Sequence, residues 1–129
     1  MDLNTYSTDF LQILGSGGDH EIVCRGIIRP SSTDLDLIPG VLLMRYASDL
    51  SLCTVWDGAT NTIVCGVLLS PCTAGATAIP VTILASGTVK NENCSIYSDG
   101  DGDPVPTLVQ WNQAQVQSGI IPQGTEYGS

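Results

Sequence analysis

Positive charge, histidine and aromatic rings are all scarce in this chain. Four Lys+Arg stand against 13 Asp+Glu, a formal net charge of -9 with a sequence pI near 4.1. The cations, Arg25, Arg29, Arg45 and Lys90, are too few and too scattered to neutralise a run of phosphates, so no nucleic acid partner is expected. The same shortage argues against attraction to an anionic membrane surface. No apolar run approaches the length that spans a bilayer, and the first residues lack the cationic start and apolar stretch of a secretory signal. The expectation is a protein made in a cytoplasm, with no membrane partner.

Chemistry is short of raw material as well. His20 is the single histidine. The cysteines, Cys24, Cys53, Cys65, Cys72 and Cys94, form no Cys-x-x-Cys pair, so no usual zinc pattern is completed. Their odd number and apolar surroundings suit buried, reduced thiols. His20 and Cys24 lie about 13 Å apart if they share a strand, against the roughly 3 Å that proton transfer needs. Gly15-Ser16-Gly17-Gly18 lacks the Lys-Ser/Thr of a phosphate loop, and there is no Gly-x-Ser-x-Gly elbow. Asp99-Gly100-Asp101-Gly102-Asp103 begins like a calcium loop, but Pro104 stands where that loop needs glycine and Gln110 where it needs a bidentate Glu. It reads as a solvated turn that caps a helix. No catalytic residue, metal or cofactor is assigned, and the chain is read as a non-enzyme.

What is abundant is apolar residue type. At 129 residues the chain fits one domain, and 43% hydrophobic against 13% charged residues leaves about half the charge of an average soluble domain. Much of its surface is therefore uncharged and available for contact, which favours an assembly subunit. Residues 1–19 read as a flexible arm, with Phe10-Leu11-Gln12-Ile13-Leu14 followed by the glycine-rich break. Alternation over 20–28 predicts a strand, and strand candidates follow at 41–46, 52–56, 62–69 and 81–86, with a last one near 88–90 or 95–97. Asp57-Gly58 and Ser86-Gly87 supply turns. Residues 30–39 and 73–78 read as loops, and Leu84 as exposed or shared. Ile63 to Leu69 is apolar on both faces, so it is either the central strand of the core or has one face against another subunit. A helix is predicted from an Asp103-Pro104 start to Gly119, and 122–129 as a loose tail. The fold class is mainly β, a small barrel or sandwich with a short C-terminal helix and an N-terminal arm; the folded domain spans 20–121.

Four blocks recur at ordered spacing: Pro39-Gly40-Val41-Leu42-Leu43, Trp56-Asp57-Gly58, Cys65-Gly66-Val67-Leu68-Leu69 and Ser86-Gly87-Thr88-Val89. In type and order they resemble the lambda-type head decoration proteins of tailed bacteriophages, a capsid-stabilising family, over most of the chain from about Leu14 to Ile121. The resemblance implies a β-tulip type of fold and a cement protein on the outer surface of the virion. Its partners would be the major capsid protein and its own copies in a homotrimer at local three-fold positions, where it would stabilise the expanded shell against the pressure of packed DNA. Carried over by position, Phe10, Leu11, Ile13 and Leu14 would form the capsid-binding arm, and Gly119, Ile120 and Ile121 would lie at subunit contacts. The alternative is a host-surface or carbohydrate-binding β module on a virion, although 5% aromatic residues is little for sugar stacking.

Overall fold

The computed structural model of the chain describes residues 21–31, 34–60, 62–97 and 104–124. These are mainly β: strands β1 (Ile22–Ile28), β2 (Leu35–Leu37), β3 (Leu42–Tyr46), β4 (Asp49–Val55), β5 (Val64–Leu68), β6 (Cys72–Ala74), β7 (Ile79–Lys90) and β8 (Ile120–Gln123), with one helix, α1 (Leu108–Ser118). Hydrogen bonding runs β1-β4-β3-β5-β7, and β7 returns to β1, so five strands close into a ring. β2 and β6 form a separate two-stranded sheet, and β8 lies parallel to the last residues of β7.

Two apolar clusters follow from strand alternation. The inner one takes residues from every strand of the ring, among them Ile28, Leu43, Cys53, Leu68, Val81 and Ile83, and Leu37 and Ala74 join it from the small sheet. The outer one gathers Leu42, Val67, Leu84 and Val89 on the opposite strand faces and covers them with Trp111 and Ala114 of α1 and Ile120 of β8. β5 is buried at every position, so both of its apolar faces are accounted for within one chain. It is the central strand of the core, and a neighbouring subunit is not needed to explain it.

Gly66 makes this double burial work. The register between β3 and β5 shifts by one residue at this point, a bulge that moves successive side chains between the two clusters. Its φ is 156°, and a Cβ there would stand 2.5 Å from the Leu84 carbonyl oxygen. Only glycine lets β5 pass so close to β7.

Several boundaries differ from the sequence reading. Leu84 is fully buried, because α1 and β8 cover the outer face of β7. Ser86-Gly87 is not a turn: β7 continues through Gly87 to Lys90 and gains β8 as its partner there. Both predicted loops hold a short strand, since Leu35 and Leu37 point inward around Asp36 and pair with Ala74 and Cys72. The helix starts at Leu108, not beside Asp103. Pro106 disfavours helical backbone at Val105 before it, and the chain stays extended until Thr107 supplies the cap. Thr107 Oγ1 accepts from Gln110 N–H at 3.2 Å while Gln110 Oε1 accepts from Thr107 N–H at 2.9 Å, a reciprocal capping box. Gly119 ends the helix with φ 70°. β8 then runs to Gln123, two residues beyond the expected end of the domain.

Candidate functional site

The C-terminal half of α1 is anchored to the start of β5 by side-chain amides that imitate a strand partner. Gln117 Oε1 accepts from Val64 N–H at 2.7 Å, and its Nε2 donates to Thr62 O at 2.9 Å. Gln113 Nε2 donates to Thr62 O at 3.1 Å and to Ala59 O at 3.2 Å. Ser118 Oγ donates to Val64 O. These contacts satisfy backbone groups at an otherwise open end of β5.

Beside this joint lies an open groove of about 640 Å³, bordered by Arg45, Ile63, Cys65, Val116, Gln117 and Gly119. Its rim is apolar where it is most accessible: Val116 is 86% exposed and Ile63 is 54% exposed. Arg45 is the one cation in the lining. Cys65 lies 3.5 Å, Sγ to Sγ, from Cys53 inside the ring. Its hydrogen bond to Cys53 and its burial push the Cys65 thiol above the ordinary range, so it stays protonated at neutral pH. Among the described residues that line the groove no histidine or carboxylate stands beside Cys65, and its hydrogen bond lowers the pKa of its partner Cys53, inside the ring, to about 6. All five cysteines are free thiols. Among the described residues no three His, Cys, Asp or Glu side chains gather in a way that could hold a metal ion, and no helix is long and apolar enough to cross a membrane.

Phe10, Leu11, Ile13 and Leu14 lie outside the described residues, as do His20 and the acidic run 99–103. The other predicted contact residues have separate environments. Gly119 is half-buried as the helix cap, Ile120 is wholly buried in its own chain, and Ile121 is 46% exposed. Of the three, Ile121 alone offers a large side chain to a neighbour. Both tryptophans are buried, Trp56 at 0% and Trp111 at 1% exposure, so neither provides a stacking platform for a sugar ring. The Gln113, Gln117 and Ser118 joint was not anticipated. The spacing of the two glutamines, four apart on one helix face, is its sole trace in the sequence.

A scan against protein-family models and a search of curated proteins both return no match for this chain.

Proposed function

We propose that this chain is a head decoration protein of the lambda type, which docks as a homotrimer on the outside of an expanded phage capsid at local three-fold positions and stabilises the shell against packed DNA. The major capsid protein is its partner. Phe10, Leu11, Ile13 and Leu14 form the attaching arm, and Ile121 faces a neighbouring subunit.

The observation that carries this reading is the position of the four sequence blocks in the ring. Gly40 to Leu43 leads into β3, Asp57-Gly58 turns the chain after β4 with Gly58 at φ 86°, Gly66 sits at the β5 bulge, and Gly87 marks where β7 leaves β1 for β8. Each glycine of the pattern thus answers a backbone need of one closed ring. A chain with 13% charged residues, together with exposed Ile63, Val116 and Ile121, is further support for life in an assembly. The burial of Trp56 and Trp111 weighs against the carbohydrate-binding alternative.

The test is co-sedimentation with undecorated expanded heads of the parent phage. The full chain saturates them, whereas the chain lacking Met1 to Leu14 stays folded and does not bind. Saturation by the truncated chain at the same concentrations would move attachment to the ring itself, and failure of the full chain to bind would remove the reading.

A further inference from the structure

Cys53 and Cys65 come from strands that are not hydrogen-bonded to each other, since β3 lies between β4 and β5. Both side chains nevertheless reach the inner cluster, where the Cys65 thiol donates to Cys53 Sγ at 3.5 Å. In a closed ring the inward faces of next-nearest strands converge. Two register shifts on β3 add local bend: one against β5 between Leu43 and Met44, the other against β4 between Arg45 and Tyr46. Gly26 leaves the space for the sulfur. A Cβ there would stand 3.7 Å from Cys53 Sγ and 3.2 Å from Ile83 Cδ1, so a side chain on β1 would crowd the pair.

The pair also has an electropositive side that faces solvent. Arg45 is exposed, and it lines the open groove beside α1 together with Cys65, which keeps 8% exposure. In the β3–β4 register Arg45 stands opposite Cys53, which holds its cation near that sulfur. The bond from Cys65, the Arg45 charge and the Ile27 N–H favour the Cys53 thiolate and outweigh the opposing effect of burial. A thiolate beside a cation, with a second thiol in contact, is the setting in which oxidation selects one cysteine over others.

We propose that Cys53 and Cys65 are an oxidation site for hydrogen peroxide, at which they close into a disulfide across the inside of the ring and pin the loop on which α1 rests. The Cys53 thiolate attacks a peroxide oxygen, the O–O bond breaks, hydroxide leaves and Cys53 becomes a sulfenic acid. The Cys65 sulfur then attacks the Cys53 sulfur, the S–O bond breaks, and the departing hydroxide takes the Cys65 proton as water. Each sulfur loses one electron. Peroxide gains both and ends as two waters, because the proton that Cys53 released on ionising neutralises the first hydroxide. Rotation of both side chains brings the sulfurs from 3.5 Å to the bonded distance of about 2.05 Å. The two cysteines are 12 positions apart, and the loop they close contains Ala59 and Thr62, whose carbonyls accept from Gln113 and Gln117 of α1.

The pair is independent of the decoration reading, and its test needs no capsid, so either can fail alone. The full chain, Cys24→Ser and Cys65→Ser are each treated with hydrogen peroxide. Remaining thiols are blocked with iodoacetamide in denaturant, and the chain is cut without reductant by chymotrypsin, which cleaves between the pair at Trp56. Mass spectrometry is expected to find Cys53 and Cys65 peptides linked in the full chain and in Cys24→Ser, separated by reductant, and unlinked in Cys65→Ser. The oxidised full chain should melt several degrees above the reduced one, as closing a loop of this length predicts. The wild-type peptides decide the matter even if Cys65→Ser fails to fold. Free Cys53 and Cys65 at a peroxide exposure that has already oxidised exposed Cys24 would overturn the proposal, as would a link from either of them to Cys24 in the full chain. A linked pair with no rise in melting temperature would overturn the pinning of the loop.

Discussion

Gln117 and Val64, 53 positions apart in sequence, are joined by a 2.7 Å hydrogen bond from the Val64 N–H to the glutamine Oε1. Val64 is 1% exposed, so its N–H has no access to bulk water if that acceptor is removed. Gln117→Ala should therefore cost about 1–3 kcal/mol, the penalty of an unsatisfied buried donor. Gln117→Glu keeps the acceptor but loses the donor to Thr62 O and should cost less. Urea melts of both variants check the order.

The two buried tryptophans give a paired comparison. Trp56 Nε1 donates to Thr62 Oγ1 at 2.9 Å and to Ala59 O at 3.1 Å, whereas Trp111 Nε1 is buried without a partner among the described residues. Substitution by Phe removes similar volume at each site, but at Trp56 it also removes two hydrogen bonds. Trp56→Phe should be the more destabilising by about 1 kcal/mol or more, as read from chemical denaturation at one temperature. Equal losses would mean that the Trp56 bonds contribute little.

Gly66→Ala tests the close approach of β5 to β7. The added methyl meets the Leu84 carbonyl, a backbone atom that cannot rotate away, at a φ that L residues rarely adopt. A loss of about 3 kcal/mol or more, or failure to fold, is expected. Gly75→Ala, where the nearest atom is an Asp34 carboxylate oxygen at 3.3 Å, is the mild control.

Buried thiols make stability fall at alkaline pH. Burial, with a smaller contribution from Glu92, pushes the Cys94 thiol up. A thiol pKa raised by folding means that the unfolded chain ionises first. Stability is then complete below the unfolded thiol pKa near 8.5 and declines as pH rises above it, by about 1.4 kcal/mol per pH unit for each such group. Melting temperatures should shift down between about pH 8.5 and pH 10. Cys94→Ala should flatten the alkaline slope while lowering the plateau.

The strands that carry long alternation or two-sided apolarity were legible: β1, β3 and β5 fall within a residue or two of their expected limits. The three-residue strands β2 and β6 were not, because Leu35 to Leu37 is too short for a period to stand out from its flanking prolines, and pairing with Cys72 to Ala74 is a tertiary decision. The helix start was misplaced because Asp103-Pro104 mimics a cap, whereas Pro106 delays the helix to Thr107. Leu84 was misread because a strand covered on both faces loses its alternation, and nothing near β7 in sequence announces that α1 will cover it. The groove was invisible for the same reason, since its lining comes from β3, β5, β7 and α1.

Electron microscopy of the parent virion tests the central proposal most directly. Density for this domain is expected as three-lobed knobs at the local three-fold positions of the expanded head, with each lobe fitting the five-stranded ring. Density for the domain on the tail fibres with bare three-fold positions on the head would contradict it.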